Sequence, residues 1–413
     1  MVDTVTEDSL EVRAMDEFKS LGYNLIDAYT PNREDLKDST GRTNKDQVVL
    51  SQVLIQSLKE INPHIPGEII HDEAKAIIED ASLNSKLLKD KNYERYQDIL
   101  NGIKVKFRRE GKETIEYLNL IDYENPKNNT FTVARQVWID GEYGYRRPDI
   151  LVYINGLPLV WIELKKPSEN VQLGYTYNLI NQKHDIPQLF FFNQLCIISN
   201  GHQTKAGSYN SSFSHYFEWL KVDDEKEKID RKMIDNNEIS LQYLIKGLMP
   251  KEKIIDYIEN FILYLNKDTK IVAKSHQFIG VNNAIDSFKN RDGKNGKLGV
   301  FWHTQGSGKS FSMVMYVRKI RRKYSGNYTF LMITDRDDLN TQLLKNFVRT
   351  GVIQDSDAVK AKSGSHLREM LQSNTSMIFT LIHKFRSDYD TKFPLLSTRE
   401  DIIVIVDEAH KFR

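Results

Sequence analysis

A chain of 413 residues is long for one domain and comfortable for two or three. Its 40% apolar and 28% charged residues exclude a disordered or fibrous protein. The net charge of +1 excludes a bulk positive field, so any nucleic-acid contact has to come from a local patch. A single cysteine, Cys196, excludes an intrachain disulfide and a cysteine-built zinc site, and its place in the apolar run LFFFNQLCIIS reads as core. The first residues carry Asp3, Glu7 and Asp8 where a signal peptide would be basic and then apolar. No apolar run approaches the roughly 20 residues of a membrane span, and a reducing cytosol is the expected setting.

Residues 1–220 mix helical and strand patterns. An N-terminal helix carries Glu7 and Glu11. Two basic clusters follow, Lys104–Arg109 (KVKFRR) and the pair Arg146 and Arg147, and a third comes later at Arg318–Lys323 (RKIRRK). Each reads either as a nucleic-acid contact or as a solvated face.

The segment 147–165 reads RPDILVYINGLPLVWIELK. Two apolar runs flank Asn155-Gly156, a strong hairpin signal. Asp149 opens the first strand, and Glu163 and Lys165 share one face near the end of the second. An acid followed across a hairpin by Glu-x-Lys resembles the PD-(D/E)xK nuclease pattern, and phosphodiester cleavage needs a divalent metal that binds the scissile phosphate and acidifies a water. Asp149 and Glu163 are the hard oxygen ligands Mg²⁺ prefers. Lys165 is placed to position or deprotonate the water and to offset developing charge. A two-residue loop would pair Asp149 with Ile162 and turn Glu163 to the wrong face. We therefore expect a three-residue connection, Asn155–Leu157, which pairs Asp149 with Glu163. Glu11, or second to it Glu7, is a candidate for the same metal.

The stretch Lys221–Asn237 is charge-dense and reads as a surface linker. Ile254, Ile255, Ile258, Phe261, Ile262 and Leu265 then recur at helical spacing, predicting one amphipathic helix. From about residue 269 the pattern alternates. Strands are expected at Leu298–Trp302, Thr329–Thr334, Met377–Ile382 and Ile402–Val406, with helices at Phe311–Ile320 and Leu339–Val348. Continuous apolar strands between helices predict a parallel sheet. The end at Arg413, just after a strand, predicts a truncated unit.

The first of these strands runs into VFWHTQGSGKS. Gly306 and Gly308 would let backbone N–H groups reach phosphate oxygens, and a helix N-terminus follows. Thr304 and Ser307 complete the loop. Lys309 would reach the β/γ-phosphates and Ser310 would ligate Mg²⁺. Where the strict motif has its first glycine, this chain has His303. In IIVIVDEAH, Asp407 ends a buried strand at the side of a parallel sheet where ligands bind. It would hold Mg²⁺ through water, and Glu408 would polarise the attacking water.

Lys309-Ser310 and Asp407-Glu408-Ala409-His410 resemble the first motif and the DEAH box of helicase superfamily 2, and Gln277 in KSHQF resembles its adenine-reading glutamine. Asp149 with Glu163-x-Lys165 resembles the PD-(D/E)xK nucleases. Together with IPQLFFFNQLCIISNG, TDRDDLNTQL, TLIHKF and VDEAHKF, in this order, the chain resembles the restriction (R, HsdR) subunit of type I restriction-modification enzymes. The resemblance implies an α/β protein: a PD-(D/E)xK nuclease domain with a central mixed sheet at 1–220, a charged linker and helical entry at 221–268, and an incomplete RecA-like motor lobe at 269–413. It implies Mg²⁺ and ATP as cofactors. Its implied partners are duplex DNA and the methyltransferase and specificity subunits, within an ATP-driven complex that pumps DNA and cuts at a distance. The family's Gln-x-x-x-Tyr after the nuclease lysine is not matched; Asn178 and Gln182 are nearest by spacing. Two other readings stay open at this point: a translocase with a degenerate nuclease, and a non-catalytic truncated remnant that binds ATP or DNA.

Overall fold

The computed structural model describes residues 6–80, 86–304, 306–385 and 395–409. The chain divides into two compact units. The first holds Met1–Ile262 with Lys267–Ile279, and the second holds Leu263–Asn266 with Gly280–Arg413. No helix among the described residues is long and apolar enough to cross a membrane.

The first unit is built on a seven-stranded mixed sheet whose strands lie in chain order. They are β1 (Asn24–Asp27), β2 (Phe131–Arg135), β3 (Ile150–Ile154), β4 (Leu157–Leu164), β5 (Leu195–Ser199), β6 (Thr204–Gly207) and β7 (Phe217–Glu218). β1 pairs parallel with β2 and β4 parallel with β5; the other neighbours are antiparallel. Every residue of β3, β4 and β5 is buried, as near-continuous apolar runs require when both faces are covered. Cys196 lies in β5 without exposure, as its apolar neighbours suggest.

The β3–β4 hairpin differs from expectation in an instructive way. The connection is a two-residue turn: Ile154 pairs with Leu157 and Tyr153 with Pro158. Asn155 and Gly156 both adopt positive φ, 52° and 81°, as a tight primed turn demands. The register then shifts between Val152 and Tyr153, so that Val152 pairs with Val160 and Ile150 with Ile162. Leu159 is the extra residue of a β-bulge. The bulge, not a longer loop, sets Asp149 opposite Glu163. The Asn155 amide anchors the turn by donating to Leu120 O at 2.9 Å and Asn129 Oδ1 at 2.8 Å.

The charged stretch read as a linker folds with the first unit. It carries a helix, Arg231–Asn237, capped by the Asp230 side chain and burying Ile234. The helix Ser240–Leu248 packs on the N-terminal helix Glu7–Ser20, with Lys246 Nζ 3.2 Å from Glu17 Oε1. The single helix expected through Leu265 stops earlier. It spans Lys251–Asn260, and Ile262–Leu265 is a strand. The run FILYL is β-branched and aromatic, which suits a strand as well as a helix face.

The second unit has a four-stranded, all-parallel sheet. In chain order its strands are β8 (Thr329–Thr334), β9 (Ala358–Lys360), β10 (Met377–Leu381) and β11 (Ile402–Val406), and they lie in the order β9-β10-β8-β11. Leu331, Ile333, Leu367, Met370, Leu371 and Ile378 form a core on this sheet. Helices Lys309–Lys323 and Asp337–Arg349 stand where the apolar periodicity put them. Leu298–Trp302, expected as a strand, is irregular. Val300 and Trp302 are 89% and 80% exposed, and an apolar segment that gains no ladder partner cannot hold a strand. The second unit thus has the α/β, parallel-sheet character of a RecA-like lobe, and the first unit the mixed sheet of a nuclease domain.

Candidate active sites

Trp161 and Glu163 project from one face of β4 by its two-residue period, and Lys165 follows the strand's end. The segment covering that face begins with a π-helical turn, Gly174–Leu179, and continues as the helix Ile180–Asp185. Gly174 is required there, because a Cβ would come within 2.5 Å of Ile198 Cγ2. Its absence lets the helix lie close to Glu163. Asn178 and Gln182, one turn apart, then reach the same carboxylate. Asn178 Nδ2 donates to Glu163 Oε1, and Gln182 Nε2 donates to Oε2 at 3.1 Å. Gln182 is itself oriented by accepting Trp161 Nε1–H at 2.8 Å.

Lys165 Nζ lies 3.2 Å from Glu163 Oε1 and 3.9 Å from Glu7 Oε1. Asp149 Oδ2 accepts the Leu164 backbone N–H at 2.7 Å. Glu163 is 2% exposed; burial and then the neighbouring Asp149 push its pKa well above the ordinary carboxylate value. Burial likewise raises Asp149 to about 6. Burial works against the Lys165 ammonium, but Glu163, Asp149 and Glu7 outweigh it and hold its pKa above the usual value.

A third carboxylate faces this pair from the N-terminal helix. Glu11 is buried, and burial followed by Asp149 raises its pKa to about 7. Its Oε1 accepts from Gln136 Nε2, while its Oε2 accepts no hydrogen bond and lies 3.8 Å from Arg135 Nη1. A buried carboxylate oxygen without a donor is costly unless a cation comes to it. Among the described residues Arg135 is the one cation paired with that oxygen, and it gives it no hydrogen bond; the donor set of Asp149 and Glu163, with Glu11 feeling the charge of Asp149, fits a hard divalent cation. Among the described residues no three His, Cys, Asp or Glu side chains gather as a ready metal cluster, so the site offers a carboxylate pair and not a cage.

In the second unit, Gly306 and Gly308 have φ of 78° and 90°. Gly306 has open space around its Cβ position, so its role is conformational. Gly308 caps the helix that Lys309 and Ser310 open. Thr304 O accepts the Ser307 N–H at 3.3 Å, closing the loop. Lys309 Nζ lies 3.8 Å from Glu408 Oε1. Asp407 follows β11, its N–H bonded to Ile333 O at 2.9 Å. Burial, and then Glu408 and Asp335 against the pull of Lys309, raise its pKa. The phosphate-loop residues and the two acids thus meet at the carboxyl ends of parallel strands. Gln277 lies on the helix Ser275–Lys289, where its Oε1 accepts the Lys274 N–H at 2.9 Å; its backbone belongs to the first unit. Gln305 and His410 lie outside the described residues.

Residues 4–215 match the family model described as type I restriction enzyme R protein N terminus. The chain belongs to this family. Residues 276–413 match the SWI2/SNF2 ATPase model, which agrees with the parallel sheet of the second unit. The chain is 33% identical to the type I restriction enzyme HindI endonuclease subunit of Haemophilus influenzae over 98% of its own length, and covers 39% of that protein. It is 32% identical to the MjaIXP endonuclease subunit of Methanocaldococcus jannaschii over 97% of its length, covering 39%. With the SauCOLORF180P endonuclease subunit of Staphylococcus aureus the figures are 26%, 80% and 35%. The chain thus spans about two fifths of the length of the first two of these relatives.

Proposed function

We propose that this chain forms the nuclease domain and first ATPase lobe of a type I restriction endonuclease subunit, acting on duplex DNA with methyltransferase and specificity subunits as partners. The observation that carries the nuclease reading is the buried Glu163, held by Asn178, Gln182 and Lys165 and set across the hairpin from Asp149.

Asp149 and Glu163 would hold Mg²⁺, which when bound supplies charge for the scissile phosphate and an acidified water. Asn178 and Gln182 fix both oxygens of Glu163, leaving it one orientation. Lys165, kept protonated by its carboxylate neighbours, donates rather than accepts: it aligns the attacking water and meets the charge growing on the phosphate. Glu11 would steady the cation from the N-terminal helix.

In the second unit the amides of Gly306, Ser307 and Gly308 and the Lys309 ammonium would hold the phosphates of ATP. Ser310 and Asp407 would hold its Mg²⁺, and Glu408 would polarise water. By resemblance Gln277 would read adenine. The helix start at Lys309 and the 3.8 Å approach of Lys309 to Glu408 support this reading.

The test is direct metal binding. Calorimetric titration of the chain with Mn²⁺ is expected to give a site that Asp149→Ala and Glu163→Gln each abolish. Binding that survives both substitutions would remove the nuclease reading.

A further inference from the structure

Besides Lys165, the arginines near Asp149 divide into two kinds. Arg135 is committed to Asp27 at 2.7 Å and Arg146 to Asp185 at 2.5 Å. Arg147 makes no hydrogen bond or ion pair among the described residues. It precedes Pro148, which holds its backbone extended, two residues before Asp149. Its charge still reaches that carboxylate and lowers the Asp149 pKa, against the larger opposing effect of burial.

Arg147 is held by aromatic rings. Its guanidinium lies 4.9 Å from the Trp138 ring centre and 5.5 Å from that of Tyr29. Trp138 packs against Tyr145 with ring centres 5.9 Å apart, and Arg33 stacks on Tyr145 at 4.2 Å. Tyr29 and Tyr145 are 54% and 53% exposed. The loop that carries Tyr29 and Arg33 is irregular but pinned. Arg42, without side-chain exposure, bonds Asp38 at 2.8 Å and Trp138 O at 2.9 Å, and Lys45 joins Asp38 at 3.1 Å. The platform is therefore preformed.

We propose that Arg147 clamps a phosphate of the DNA strand lying across Asp149 and Glu163, with Trp138, Tyr29 and Tyr145 as the wall for the adjoining sugar and base. The proposal rests on the nuclease reading and extends it. A guanidinium beside paired carboxylates suits a ligand that presents one anionic face to a hard cation and another to arginine. A phosphodiester chain does this, and its sugars and bases add surfaces for aromatic rings. Stacking on Trp138 also keeps the guanidinium from folding back onto the acids.

The test uses the 413-residue chain and a fluorescein-labelled DNA duplex, with Ca²⁺ replacing Mg²⁺, read by anisotropy over a range of salt. Arg147→Ala is expected to weaken binding about tenfold and to reduce the salt slope by about 1. Arg147→Lys should keep the slope, because the charge remains, and lose only part of the affinity. Mn²⁺ titration of Arg147→Ala should still show the site, its affinity altered only through the lost charge beside Asp149. Unchanged DNA affinity and slope in Arg147→Ala, or no DNA binding by the wild type, overturns the clamp. Loss of Mn²⁺ binding in Arg147→Ala also overturns it, since the residue would then support the fold. Failure of the nuclease reading looks different: Mn²⁺ binding would persist in Asp149→Ala whatever Arg147 does.

Discussion

Asp149 grips the strand that carries Glu163: its Oδ2 accepts the Leu164 N–H at 2.7 Å, one residue beyond its partner carboxylate. The bond forms only because the bulge at Leu159 has reset the register by one. The turn that starts the hairpin must therefore hold its shape. Gly156 has φ 81°, and a Cβ there would lie 2.7 Å from Leu50 O and 2.8 Å from Leu54 N, both backbone. Gly156→Ala should cost at least about 2 kcal/mol of stability. Denaturant unfolding measures it, and a loss under about 0.5 kcal/mol would contradict the turn geometry.

Asn178 and Gln182 act through Glu163. Gln182→Ala or Asn178→Ala should weaken Mn²⁺ binding and slow cleavage by roughly tenfold to a hundredfold. Raising the metal concentration should restore part of the rate. Rate loss with unchanged metal dependence would show that the two amides serve only packing.

The raised carboxylates set a pH signature. Burial lifts Glu11 from its usual 4.5 to about 7, so the fold favours its protonated form. That contribution is complete below the unfolded pKa and is lost as pH rises through about 7. Glu11→Gln should therefore match the wild type near pH 4, below the unfolded 4.5, and exceed it at pH 8. The gain is on the order of 3 kcal/mol at most by linkage. Thermal unfolding without metal at the two pH values reads the difference. Mg²⁺ should raise the wild-type Tm more at pH 8 than at pH 4, because bound carboxylates must be ionised. A variant that gains stability at the acidic end instead would reverse the assigned shift.

Nucleotide binding should depend on the second unit's loop. Lys309→Ala should weaken Mg²⁺-ATP binding at least tenfold by removing the cation that meets the phosphates. Asp407→Ala should weaken it chiefly in the presence of Mg²⁺. A fluorescent ATP analogue titrated with and without the metal separates the two effects.

On the proposed function, the two sites should fail asymmetrically in a complex with methyltransferase and specificity subunits. Asp149→Ala and Lys165→Ala should reduce cleavage on the order of 10³-fold and leave ATP hydrolysis intact. Lys309→Ala should stop both, if cutting waits on the motor. Plasmid linearisation and ATPase rate for each variant give the pattern. Normal cutting by Asp149→Ala would move the front domain's chemistry elsewhere.

Asp149, Glu163 and Lys165 stood out in the sequence because their spacing is local: acid, hairpin, Glu-x-Lys. The way they meet was not, since Leu159 in the sequence gives no sign that it bulges. Asn178 and Gln182 stood at readable positions, but their role depends on Gly174 letting the helix approach. Glu11 needed tertiary placement beside Asp149, and Arg146 and Arg147 are indistinguishable until Asp185 takes one of them. The motor strands β8, β10 and β11 followed from apolar runs. Leu298–Trp302 is also largely apolar and stayed irregular; it carries Gly299 at φ 115° and gains no ladder partner among the described residues. Phe261–Leu265 fitted helical spacing and strand propensity equally, and the strand won.

Cys196 has a practical consequence for watching this molecule work. Burial pushes its thiol up to about 12 and β5 leaves it no access to solvent, so alkylating dyes should pass it by in the native state. The folded chain behaves towards maleimides as a cysteine-free background. A cysteine introduced at Tyr177, 63% exposed on the turn before Asn178, would be the one reactive handle. A fluorophore placed there would sit beside the nuclease site and report the arrival of DNA.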